Sequence, residues 1–471
     1  MESKTQNELE MDCNRKDSSN IQKSEEGNSK DMKGQFKPSE KWRIMKNIVV
    51  ISLAFMVHFT AFQGAGNLQS SVNAEEGLGT ASLATIYFAL ILSNVFLPVV
   101  IIRKFGCKWA IAVSFIAYNA LYRGTILRQI LHYDTSRSAN LIKVPAETLV
   151  VRFFGIFFMI FQFAQVWGNL ISSLVFSSGE TKPLFSNVSA ICGKNFCPGN
   201  EVNENSNMEK PPDEQIYIVA GIYLACMISA CLIVAFGVDN LKRYNEGKRE
   251  GSGTGLSGFS LLAITLKLLK ERNQILILPI TMFLGVEQAF VGADYTAAYV
   301  ACAWGISNIG YVMICYGITN SISAITMGSI VKLTGRVPVV CGAFVLHLGI
   351  LIALLCWAPT PDDKILFFVV TGLWGICDGV WLVQINGKCV CVCVCASYCG
   401  ILFPSKEEAA YSNYRLWQSL GFIVQYIYSS YICLNIKIYI LITIMVIGMT
   451  GYLFIEINEK RKAKLNLQLQ L

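Results

Sequence analysis

The run from Gln274 to Cys302, QILILPITMFLGVEQAFVGADYTAAYVAC, is long and apolar enough to cross a bilayer, yet it carries two acids, Glu287 and Asp294. A carboxylate at mid-bilayer costs about 2.5–3.5 kcal/mol on insertion scales, so such acids must face protein or a water-filled cavity. On an unbroken α-helix the seven-residue spacing puts both acids on one face and Gly285 and Gly292 on the opposite one, where a neighbouring helix can pack closely. The alternative is a helix that ends near Phe290, leaving Asp294 in water and only Glu287 buried.

The rest of the chain has the same character. Of its 471 residues, 53% are hydrophobic and 15% charged, against about 25% charged in soluble domains, so the fold class is an all-α polytopic membrane protein. The net charge of +7 comes from Lys and Arg beside apolar runs, the pattern of the positive-inside rule, and implies no nucleic-acid partner. With His only at 58, 132 and 347, and with no P-loop, nucleophile elbow or HExxH, the sequence points to no enzyme, no cofactor and no metal site. Most of the 17 Cys lie in apolar runs and read as reduced, buried hydrophobes.

In chain order, residues 1–45 mix both charge signs with polar residues and read as a disordered cytosolic tail. An N-terminal transmembrane half follows over 46–236. Its first span, about 48–67, carries Thr60, Gln63 and Asn67 as a polar stripe; its fifth, about 153–176, carries Gln162, Gln165, Asn169 and Ser172 in the same way, and each stripe should face a helix neighbour. Between them the third span, 109–122, is too short to cross, and the segment to Arg152 holds Arg123, Arg128, Arg137 and Lys143. Either this span does not cross or a return span has been lost. The polar loop 178–214 holds the sequon Asn187-Val-Ser189, a glycosylation acceptor, and the pair Cys192 and Cys197, for which a disulfide is permitted outside the cytosol.

A basic, Gly/Ser-rich linker over 237–273 is read as cytosolic. The C-terminal half, 274–457, has further spans near 308–330, 339–357 and 365–386, and the tail 458–471 carries Lys460, Arg461, Lys462 and Lys464. Both termini then lie in the cytosol, which requires an even number of crossings, while about eleven candidate spans are found. Span ten places Trp374, Asp378 and Trp381 on one face, an acid between two indoles, and Gly375 and Gly379 form a GxxxG suited to close packing. Lys406, Glu407, Glu408 and Arg415 read as solvated charges at a helix start. The turns Arg103-x-x-Gly106 and Lys332-x-x-Gly335 recur at the same topological position of each half, a parallel repeat of the kind found in facilitator transporters.

Residues 387–399, GKCVCVCVCASYC, interrupt the turn after span ten. Strict Cys-Val alternation is what a repeating TG dinucleotide encodes, and Gly387-Lys388-Cys389 can be written GGT-AAG-TGT, containing an intron-start sequence. A retained intron or repeat is the reading; a thiolate metal site or S-acylation is the functional alternative.

The strings VRFFGIFFMIFQFAQVWGNLISS (151–173), GVEQAFVGADYTAAYV (285–300), KLTGRVP (332–338), GLWGICDGVWLVQIN (372–386) and GILFPSKEEAAYSNYRLWQSLGF (400–422) resemble the uncoordinated-93-like family. That resemblance implies a major facilitator-like fold of two six-helix halves. It also implies a non-enzymatic membrane regulator that modulates a potassium channel or escorts membrane receptors, in the plasma membrane or an endomembrane. This chain departs from the family pattern in the missing fourth span and in the Cys-Val insert. The second reading is a proton- or cation-coupled secondary transporter, with Glu287 and Asp378 facing a central cavity.

Overall fold

The computed structural model describes residues 38–72, 77–96, 108–109, 111–112, 114–115, 147–178, 190–198, 206–209, 211–239, 271–386 and 407–470. Ile48–Leu471 forms the compact unit that carries the site; Met1–Asn47 is a separate unit, described only for the first turns of α1.

Ten long helices stand out among the described residues: α1 (Pro38–Val72), α2 (Leu78–Phe96), α3 (Glu147–Ser177), α4 (Asp213–Leu232), α5 (Arg272–Ala289), α6 (Ile309–Thr334), α7 (Arg336–Cys356), α8 (Lys364–Asn386), α9 (Glu407–Ser429) and α10 (Leu434–Gln470). Seven helical stretches among the described residues are long and apolar enough to cross a membrane. Their outward faces are apolar: Val345 and Ile352 on α7, Ile365 and Val369 on α8, and Tyr439 and Ile447 on α10 are exposed. Acids, amides and a lysine lie inside. An apolar exterior around a polar interior is the arrangement that lipid favours and water does not.

α5 is the central helix. It does not end near Phe290. From Phe290 to Ala301 its turns widen to the π-helical form, and it continues through Cys302–Trp304 until Gly305, at φ 100°, breaks it. Wider turns take more residues, so a seven-residue spacing across this junction does not return to the same face. Glu287 and Asp294 are both buried but meet different helices, which corrects the expectation of a shared face. The glycines diverge too: Gly285 packs on α9, where a Cβ would lie 2.0 Å from the Gln418 carbonyl oxygen, while Gly292 faces Asn67 of α1. Gly421 of α9 returns the approach onto Met282, and Gly448 and Gly451 of α10 press on Ile280 and Leu276. Small residues thus bring α5, α9 and α10 to backbone contact.

The polar stripes of α1 and α3 meet each other. Asn67 Nδ2 donates to Asn169 Oδ1 at 2.9 Å, and Asn169 Nδ2 donates to the carbonyl and side-chain oxygens of Gln165 at 2.7 and 3.1 Å. Gln63 is half-buried on the same side of α1, and the side chain of Gln162 lies outside the described residues. α3 also packs on α6, with Ser173 Oγ donating to the Ser307 carbonyl at 2.9 Å. α2 packs on α9 through a stack of Tyr87 on Phe422, ring centroids 4.1 Å apart.

One end of the bundle is stapled. Cys192 is bonded to Cys302, at the end of the α5 run, and Cys197 to Cys433, just before α10. Both loop cysteines are therefore oxidised, but not to each other. Cys302 and Cys433, read from sequence as reduced residues of apolar runs, lie where the helices reach this face, within reach of the loop. Gly193, at φ 70°, lets the loop lie flat: a Cβ there would stand 2.6 Å from Pro359 Cδ. Phe196 accepts a backbone bond from Leu434 N at 2.9 Å, and Asn207 Nδ2 donates to the Cys302 carbonyl at 3.1 Å. The sequon at Asn187, the segment 116–146 where the sequence raised the question of a lost crossing, most of the 237–273 linker and the Cys-Val insert lie outside the described residues.

Candidate functional site

The centre of the bundle holds two buried acids from α5 and α8. Glu287 accepts the indole N–H of Trp374 on Oε2 at 2.6 Å, while its Oε1 has no hydrogen-bond partner and the residue has no exposed surface. Asp378 accepts three donors: Tyr316 OH at 2.6 Å and Asn320 Nδ2 at 2.6 Å, both on Oδ2 and both from α6, and Gln288 Nε2 from α5 at 2.9 Å on Oδ1. The two acids are neighbours by construction: Glu287 and the Gln288 that serves Asp378 are adjacent on α5, and Asp378 and the Trp374 that serves Glu287 lie one turn apart on α8.

The GxxxG of α8 makes this geometry possible. A Cβ on Gly375 would lie 2.3 Å from Thr319 Oγ1 and 2.5 Å from the Tyr316 carbonyl, and one on Gly379 2.8 Å from the Asn320 carbonyl. Only glycine lets α8 approach α6 closely enough for Tyr316 and Asn320 to reach Asp378. The indoles turn the other way. Trp374 reaches Glu287, and Trp381 donates to His347 Nδ1 of α7 at 3.2 Å, so the acid and its flanking indoles serve three different neighbours.

A row of amides leads away from the pair. Gln418 Nε2 donates to Gln288 Oε1 at 3.4 Å, and Arg415 NH1 donates to Gln418 Oε1 at 3.0 Å. Every donor in the row points towards Asp378, so the guanidinium of Arg415 is connected to the carboxylate through two amides. Arg415, expected as a solvated helix-start charge, is half-buried. Tyr316, Asn320, Gln288, Gln418 and Arg415 complete the site. Tyr316 and Asn320 are four residues apart, one α-helical turn, in an apolar run, and that spacing was the one signal in the sequence that could have found them.

Asp294 belongs to a different cluster, towards the stapled face. Lys437 Nζ donates to its Oδ1 at 2.6 Å, Ser429 Oγ to the same atom at 2.6 Å, and Gln425 Nε2 to Oδ2 at 2.5 Å, while Tyr428 OH donates to Gln425. Both charges are buried, with side chains 1% and 3% exposed. Its bonding capacity is used within the bundle, so Asp294 ties α5 to α9 and α10. Among the described residues no group of three or more His, Cys, Asp or Glu could hold a metal ion.

The fold is that of major facilitator transporters. Two structures of the nucleoside transporter NupG superpose with TM-scores of 0.59 and 0.56 at 13% identity, covering 87% and 86% of this chain and nearly all of theirs. In sequence, protein unc-93 homolog A of Xenopus laevis is 38% identical over 88% of this chain and 94% of its own length, and the human homolog A is 34% identical over 89% and 94%. A Caenorhabditis elegans relative named for potassium channel regulation is 33% identical over 88% of this chain and 61% of its own. The family model described as ion channel regulatory protein UNC-93 matches residues 69–453, which together with these relatives places the chain in the UNC-93 family of ion channel regulatory proteins.

Proposed function

We propose that this protein is a non-enzymatic, multi-pass membrane regulator that modulates a potassium channel or escorts membrane receptors, working through helix and loop contacts with a partner membrane protein. Family membership is the observation that carries this reading. The stapled face agrees with it: the loop between α3 and α4 is bonded covalently to the ends of α5 and α10, which makes a fixed outer surface on which a partner can dock. On this reading the staples lie in an oxidising compartment, both termini are cytosolic, the 237–273 linker is cytosolic, and Asn187 carries a glycan. The chain then comprises two transmembrane halves, 46–236 and 274–457, in a plasma or internal membrane.

Purification of the full chain from native membranes, with identification of what accompanies it, tests the reading. Enrichment of a channel or receptor subunit is the expected result, and isolation without any membrane partner contradicts it. Glycosidase should reduce the apparent mass of the protein, and Asn187→Gln should remove that shift. A transport reading rests on the undonated Glu287 Oε1 beside Asp378, and solute uptake lost in Glu287→Gln would favour it.

A further inference from the structure

We propose that Glu287 and Asp378 form a buried binding site for a single proton, carried on Oε1 of Glu287 beside an ionised Asp378. The inference stands apart from the regulatory reading, since either a regulator or a transporter could use such a site.

The hydrogen bonds assign the two roles. An ionised carboxylate only accepts, whereas a protonated one has an O–H to donate. Asp378 accepts from Tyr316, Asn320 and Gln288, a donor set suited to the ionised form, and a proton added there would displace one of them. Glu287 accepts one bond, from Trp374, and its second oxygen has no donor although it is fully buried. Buried oxygens are normally paired, and a proton on Oε1 turns that oxygen into a donor, for which the neighbouring Asp378 carboxylate is the acceptor. Neighbouring carboxyls in a dry site disfavour ionising together, so one proton between them relieves the site.

Among the described residues no lysine or arginine is paired with Glu287. α8 contributes Asp378, Cys377 and Trp374; α6 contributes Tyr316; α7 contributes His347, whose ring stands 4.7 Å from that of Trp374 and accepts on Nδ1 from Trp381. α9 contributes Arg415, which is linked to Asp378 through Gln418 and Gln288, and Lys437 of α10 is paired with Asp294. An alkali ion fits less well than a proton. It needs several oxygen ligands, and those of Asp378 are already taken by donors, leaving Glu287 Oε1 and Asn320 Oδ1 as the undonated side-chain oxygens of this group.

Infrared spectroscopy of the full-length chain in lipid nanodiscs at neutral pH tests the site through the C=O stretch of a neutral carboxylic acid. The wild type should show such a band, shifted by exchange into D2O. Glu287→Gln should abolish it and Asp363→Asn, in the turn before α8, should leave it unchanged. Trp374→Phe, which keeps both acids and removes only the indole bond to Oε2, should shift the band without loss, and this variant decides the matter if Glu287→Gln does not fold. Absence of the band in the wild type, its survival in Glu287→Gln, or an unmoved band in Trp374→Phe overturns the proposal. So does a band that vanishes when sodium or potassium is raised at constant pH, which would assign the site to an alkali ion.

Discussion

Two residues with the same side-chain chemistry do different work here, and what surrounds them sets the difference. Asp294 meets a lysine and Glu287 does not. Removing one partner of a buried ion pair strands the other, at a cost of about 3–5 kcal/mol. Asp294→Asn should therefore destabilise the purified chain strongly in a thermal melt, whereas Asp294→Leu combined with Lys437→Met should recover most of the loss. A double variant no better than the single one would show that the pair is not the source of the stability. Asp363, in the turn before α8, gives a test by pH. Partial burial opposes its ionisation, but the Thr360 N–H, the Trp357 indole and the Thr360 hydroxyl all donate to it and hold its carboxyl below the usual range. With a folded pKa below the unfolded one, its stabilising effect is complete above the unfolded value and is lost as pH falls through the folded value. Fluorescence of Trp357 should report a transition more acidic than that of an ordinary aspartate, and Asp363→Asn should eliminate it.

At the scale of elements, close approach of helices is what assembles the site. Gly375→Leu should separate α8 from α6, detach Tyr316 and Asn320 from Asp378 and reduce surface expression severely. Gly342→Leu and Gly349→Leu on α7, where an added Cβ meets nothing within 4 Å, should be tolerated. Equal tolerance of all three would contradict the packing argument. The α5 run, span ten and its GxxxG were legible in sequence because an acid in an apolar run, and glycines four apart, each carry a local physical cost that demands a reason. The widening of α5 at Phe290 was not legible, since Gly285 and Gly292 on either side of it read equally well as packing positions on a regular helix, and with it the separation of Glu287 from Asp294 was missed. The donors to Asp378 lie 58 to 90 residues away in sequence and only packing reveals them. The disulfide partners, at separations of 110 and 236, were hidden for the same reason. Non-reducing peptide mapping should recover Cys192 linked to Cys302 and Cys197 to Cys433. A Cys192–Cys197 link would contradict the stapled face.

For the whole molecule, a facilitator fold has been joined to a family of channel regulators, and fold alone does not decide between moving a solute and controlling a partner. The polar interior offers an acid pair suited to a proton, the exterior offers lipid an apolar surface, and the stapled end offers a rigid face. In the reading advanced here the partner responds to the assembled bundle rather than to a solute passing through it. The most direct test is whole-cell potassium current in cells that express the full chain together with a potassium channel identified by co-purification, with the channel's surface level measured in parallel. The expected result is a change in current, or in the number of channels at the surface, that is absent without the chain and absent with Gly375→Leu. Unchanged current and unchanged surface level, with the chain itself present at the membrane, would contradict the regulatory account.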